Sequence, residues 1–206
     1  MIHMMLVISF LMSQVDVAVV GHSFARYEEG FGQQQFPDLS SWYDGQDGLT
    51  CAGMIQNNFV LGMVPPSSRS AVIIIATNDL VQGVLPSDHA KCLKKVVSIL
   101  WGRSPDLKIV LANTPPMAFN NCAGDYRAQI TAYNLAYSQF VSGLNDPRLT
   151  LLDEWTPNTM PFNGWAWPGA MTGFCGVHPG PALQWAGGWP SYWSPPLEKA
   201  VWSALQ

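Results

Sequence analysis

The sequence predicts a single three-layer α/β/α domain on a five-stranded parallel sheet, and three observations carry that prediction. Short β-branched apolar runs recur at 15–20, 71–76 and 107–112, as strands covered on both faces require. Segments of helical periodicity separate them, which implies crossover connections and parallel pairing. Each run ends in a glycine or polar turn, and ligands of open α/β sheets bind outside the carboxyl ends of the strands.

The first run, Val15-Asp16-Val17-Ala18-Val19-Val20, is broken by Gly21, and His22 to Tyr27 can start a helix. Ser23 therefore sits where a strand meets a helix, either as a nucleophile beside free helix N–H groups or simply as an N-cap. Residues 28–47 read as a long connection with a short edge strand around Phe36 to Trp42. Gly48 to Gly53 leads into a short helix, Met54 to Leu61, stopped by Gly62 and the pair Pro65-Pro66, so Gly53 lies near a helix start.

The run at 71–76 is the strongest strand and belongs at the sheet centre; it is followed at once by Thr77-Asn78-Asp79. Ser87 can cap a helix burying Ala90, Leu93, Val96, Val97, Leu100 and Trp101, with Lys91, Lys94 and Lys95 facing water. The strand at 107–112 ends in Asn113-Thr114-Pro115-Pro116. A long helix follows from Tyr126 to Leu144, carrying Ile130, Tyr133, Leu135, Tyr137, Phe140 and Val141, then a last strand over Leu149 to Asp153. Residues 156–194 are rich in Trp, Gly and Pro, and Pro195-Pro196 opens a terminal helix through Leu197, Val201 and Leu205.

A chain of 206 residues fits one domain, taken here as 12–206. Low charge with a net −4 gives no reason to expect a nucleic-acid partner. Residues 1–11 form an apolar extension. No Lys or Arg precedes its apolar run, as a secretion signal would have, and the run is too short for stable membrane insertion, so an intracellular location is favoured over secretion. Four cysteines, Cys51, Cys92, Cys122 and Cys175, are too few for a disulfide scaffold and read mostly as buried thiols. Cys175 and His178 form a C-x-x-H pair, but zinc needs two further ligands at workable spacing, so no metal is expected.

Ser23, Gly53, Asn78 and His178 stand at the ends of core elements, in an order that resembles the SGNH hydrolases, or GDSL-type esterases. The family's Gly-Asp-Ser block appears as Gly21-His22-Ser23, its second-block glycine as Gly53, its Gly-x-Asn-Asp block as Ala76-Thr77-Asn78-Asp79, and its Asp-x-x-His-Pro block as Cys175-Gly176-Val177-His178-Pro179. Each motif alone is generic, with Asn78 readable as a turn residue and His178 as a loop histidine; their joint order gives the resemblance its weight. It spans Val15 to the final helix.

The resemblance implies a flavodoxin-like strand order and serine-dependent hydrolysis of carboxylic esters, most simply of short acyl groups. Ser23 would be the nucleophile and His178 the base that takes its proton. Backbone N–H groups of Ser23 and Gly53 with the Asn78 amide would form the oxyanion hole, without a cofactor. The substrate would be a small-molecule, carbohydrate or lipid ester, since an aromatic rim suits an acyl chain, an aryl ester or a sugar face. Of the tryptophans, Trp155, Trp165, Trp167, Trp185, Trp189, Trp193 and Trp202 fall late in the chain.

Two departures matter. Cys175 stands where the family has the aspartate that orients the imidazole, leaving a Ser-His dyad or an orienter such as Asp153; a Cys122 to Cys175 bridge is the other use open to that thiol. His22 replaces the turn-supporting aspartate of the first block, a milder change. A non-catalytic binding module and an acyltransferase using the same groups are the rival readings, and oligomeric state is open.

Overall fold

The apolar run that opens the domain becomes the strand on which the others assemble. A computed structural model of the chain describes residues 14–29, 36–114, 126–153 and 199–206. Strand β1 (Val15–His22) pairs in parallel with β2 (Ser41–Gln46) on one side and β3 (Ser68–Ile74) on the other. Strand β4 (Lys108–Ala112) adds to β3, and β5 (Leu149–Leu152) to β4, also in parallel. The order β2-β1-β3-β4-β5 is the flavodoxin-like order expected from the resemblance.

Period-2 alternation sends successive β1 residues to opposite faces, and both faces are apolar. Ala18, Val20, Ala71, Ile73, Ile109 and Leu111 meet the first helical layer, with Leu93, Val96, Leu100, Tyr133 and Tyr137. Val17, Val19, Val72, Ile74 and Val110 meet the second, with Phe24, Val201 and Ala204. Helices α5 (Pro86–Arg103) and α6 (Arg127–Leu144) cover the first face, and α1 (Ser23–Glu29) with the helical residues 199–205 covers the second. Three layers follow directly from strands that are apolar on both sides.

Several element boundaries differ from the sequence reading. The edge strand lies at Ser41–Gln46 rather than 36–42, because its pairing with β1 runs from Val17 opposite Ser41 to His22 opposite Gln46. The single helix expected over 54–61 is two: α2 (Cys51–Ile55) and α3 (Val60–Met63), separated by a 3₁₀ turn (Gln56–Asn58) in which Asn57 and Asn58 take φ of 51° and 55°. Asparagine tolerates that conformation, which an α-helix cannot contain. Helix α5 starts at Pro86 with Leu85 at its N-cap, so Ser87 is not the cap; proline suits the first turn, where its missing N–H is not needed. Leu135, expected on the apolar face of α6, is 57% exposed.

The cysteine reading is corrected as well. Cys51, first residue of α2, is bonded to Cys92 in α5, with Cα atoms 6.1 Å apart, so these two are not thiols. Cys122 and Cys175 lie outside the described residues. The bridge closes a loop of sequence separation 41 and ties α2 to the helical layer. Replacing both Cys51 and Cys92 by Ser is expected to lower the unfolding free energy by ~2–4 kcal/mol. Urea denaturation with and without a dithiol reductant checks this; equal midpoints for oxidised and reduced protein would contradict it.

Among the described residues no helix is long and apolar enough to cross a membrane, and no cluster of His, Cys, Asp or Glu has the makings of a metal site.

Candidate active site

Because β1 lies between β2 and β3, the turns that follow these three strands share one rim. Ser23 opens α1 directly after β1 and is buried at 6% exposure. Gly21 makes the tight turn possible. Its φ is +150°, and a Cβ there would stand 1.9 Å from the Ile74 carbonyl oxygen of β3. The backbones of β1 and β3 thus approach at the level of Ile74 more closely than any side chain would permit. Helix α1 leans the other way, onto β2, where a Cβ on Gly45 would lie 2.0 Å from the Arg26 backbone nitrogen. An exposed ion pair, Arg26 Nη1 to Asp47 Oδ2 at 2.7 Å, joins α1 to the turn after β2.

His22, last residue of β1, bonds to the start of α1. Its Nδ1 accepts the Phe24 backbone N–H at 3.3 Å, within a residue that is 1% exposed. An imidazole whose Nδ1 carries no hydrogen can accept that bond as a carboxylate oxygen would. With histidine at position 22 the start of α1 is thus supported.

Asn78 lies in α4 (Thr77–Val81), in the turn after β3. Its Nδ2 donates one hydrogen to the Leu49 carbonyl at 2.9 Å. A side-chain amide has two N–H hydrogens, so this bond orients the group and leaves the second for another acceptor. The anchor also draws the segment 48–50, which follows β2, towards the turn after β3.

Gly53 lies near a helix start, as the sequence suggests. It is the third residue of α2, and its N–H donates to the hydroxyl of the N-cap Thr50 at 3.2 Å. Gly48, in the turn that follows β2, is exposed, has φ +75°, and lies within the turn closed by the Leu49 N–H on the Gln46 carbonyl at 3.2 Å. Among the described residues no acceptor takes the Gly48 N–H. The sequence carried a signal for it, since Asp-Gly after a half-exposed strand marks a turn with positive φ.

Asp153 follows β5, on the same rim of the sheet, with β3 and β4 between it and β1. Its Oδ1 accepts the Asn113 amide at 2.6 Å, and burial raises its pKa above the usual carboxylate value. That bond links the ends of β4 and β5. His178, Cys175 and the tryptophans from Trp155 to Trp193 lie outside the described residues.

The chain has the fold of the SGNH hydrolases. A Bacteroides fragilis protein described as an acylhydrolase superimposes with a TM-score of 0.71 at 18% identity, over 95% of this chain and 90% of that one. A GDSL-like lipase from Bacteroides thetaiotaomicron gives 0.68 at 15% identity, over 92% and 88%. The C-terminal catalytic domain of peptidoglycan O-acetyltransferase A from Streptococcus pneumoniae gives 0.62 at 16% identity, over 93% and 94%. No protein-family model matches the sequence, and no curated protein matches it.

Proposed function

We propose that the chain is a serine esterase that hydrolyses carboxylic esters of small acyl groups. Ser23 Oγ attacks the ester carbonyl while His178 takes its proton. The protonated imidazole then gives that proton to the leaving alcohol, and water, activated by the same imidazole, releases the acid from the acyl-serine. The single observation that supports this reading is that Ser23 follows β1 and Asn78 follows the neighbouring strand β3, with the Asn78 amide held by the Leu49 carbonyl.

The oxyanion is met by the Ser23 N–H and the second amide hydrogen of Asn78. For the remaining donor we prefer Gly48 to Gly53, because the Gly53 N–H is already taken by Thr50. Cys175 leaves His178 without the family's carboxylate, so a Ser-His dyad is the working arrangement. Asp153 already serves the turn after β4 through Asn113.

Two measurements test the reading. An organophosphonate should add stoichiometrically to Ser23, located by peptide mass spectrometry, and the protein should turn over p-nitrophenyl acetate; absence of both defeats the assignment. Asn78→Ala should lower kcat by ~10²–10³-fold with KM little changed, as loss of one oxyanion donor does. The O-acetyltransferase neighbour favours one second reading, acyl transfer, which would show as an added alcohol outcompeting water for the acyl group.

A further inference from the structure

A buried polar chain runs from α6 through α5 to the segment that anchors Asn78. Asp79, next to Asn78 in α4, is 2% exposed, and its Oδ2 accepts the Cys51 backbone N–H at 2.9 Å. Adjacent side chains of α4 therefore hold the 49–51 segment from two sides, Asn78 through the Leu49 carbonyl and Asp79 through the Cys51 N–H. The other carboxylate oxygen, Oδ1, faces His89 Nδ1 at 3.5 Å, and His89 is 1% exposed.

The hydrogens of this chain can be ordered. The Tyr137 hydroxyl donates to the Ile75 carbonyl, which can only accept. The contact of 3.0 Å between His89 Nε2 and that hydroxyl is therefore donated by Nε2–H. The ring is thus clamped from α6, with its Nδ1 edge turned to Asp79. Burial, with the carboxylate's charge as a second cause, raises the pKa of both Tyr133 and Tyr137, so their hydroxyls stay protonated donors. His89 also lies one turn before Cys92, whose bridge to Cys51 brings α5 to the same segment by a second route.

We propose that His89 is a positioning residue for the oxyanion hole, acting through Asp79 on the Cys51 peptide and hence on the Leu49 carbonyl that orients Asn78. This rests on the esterase reading above. A carboxylate in a dry core needs a partner for its charge; since Nε2–H is given to Tyr137, Nδ1 serves Asp79 Oδ1 only when it too carries a hydrogen, so the role assigned here is that of the ring with both nitrogens protonated. Without the imidazole, Asp79 Oδ1 loses its neighbour, the carboxylate turns towards water, and its hold on the Cys51 N–H weakens. The Asn78 amide then loses its fixed aim, and oxyanion donors act only when aimed in advance.

The test uses the full chain. His89→Leu should lower kcat on p-nitrophenyl acetate by ~10–100-fold with KM within about twofold, the size of effect that a small misplacement produces. Adding Asp79→Asn to that variant should restore most of the rate, because a neutral amide oxygen still accepts the Cys51 N–H without needing a charged neighbour. In an Asn78→Ala background His89→Leu should cost little further, a coupling that a purely structural role would not show. Amide exchange gives a readout without catalysis: protection across 49–53 should fall in His89→Leu more than protection in the middle of α5. If that variant does not fold, Tyr137→Phe, which removes the oxygen that Nε2 donates to, should lower kcat by ~3–10-fold. An unchanged kcat or unchanged 49–53 protection, in a wild type that takes the phosphonate at Ser23, overturns this role alone. A wild type that neither turns over nor takes the phosphonate overturns the esterase reading and this role with it.

Discussion

Ser23→Ala is expected to reduce p-nitrophenyl acetate turnover by at least ~10³-fold while leaving thermal stability nearly unchanged, since removing a nucleophile costs orders of magnitude in kcat. The change deletes one oxygen from a side chain that begins α1, and the packing of that turn rests on neighbours: Phe24 at 1% exposure, Gly21 against Ile74, and the His22 to Phe24 bond. Loss of rate without loss of fold would separate chemistry from scaffold. The companion variant Cys175→Asp supplies the carboxylate that the family places before its histidine. A faster enzyme would mean that orientation of His178 limits the wild type, whereas an unchanged rate would mean that another group already orients it. A Ser23→Ala protein as active as wild type would remove the nucleophile from the scheme and turn the reading towards a binding module.

Gly21→Ala should be the most destabilising single substitution in the rim, with a loss of more than ~4 kcal/mol, the range reserved for backbone collisions and similar failures. A Cβ at this position would meet the Ile74 carbonyl oxygen at 1.9 Å and its carbon at 2.7 Å, and neither can rotate away because both belong to the strand paired with β1. Relief requires parting β1 from β3 two residues before Ser23. Alanine at Gly53 offers a control, because its Cβ would press on the flexible end of Leu49, at 2.9 Å, with Thr50 Oγ1 in ordinary contact at 3.6 Å. Equilibrium urea unfolding distinguishes the two. A Gly21→Ala midpoint equal to that of wild type would mean that the close approach of β1 and β3 is not as described.

The parts of this fold that could be read from the sequence are those where a local pattern and the tertiary environment agree. β1, β3 and β4 are buried on both faces, so apolar runs located them to within a few residues. β2 was misplaced because an edge strand with half-exposed Tyr43 and Asp44 and an exposed Trp42 has no such run, and its register comes from β1. The break at Asn57 and Asn58 depends on a left-handed backbone that asparagine permits but does not demand. The Cys51 partner could not be chosen from spacing, since contact between α2 and α5 decides it. His89 was legible in principle: it precedes Leu93, Val96, Val97 and Leu100 on the buried stripe of α5, where a polar residue calls for a partner. The rim could be read as a set of strand-end turns, but that the Gly53 N–H is taken by Thr50 depends on where α2 begins.

The strand order carries a consequence for how the chain can be made. As residues emerge in sequence, β2 joins one side of β1, β3 joins the other, and β4 and β5 each extend the newest edge. No strand has to be inserted between two that are already paired. The sheet can therefore grow during synthesis by simple addition, with each crossover helix available to cover the strand just laid down, so that its exposed edge passes to the next strand in turn.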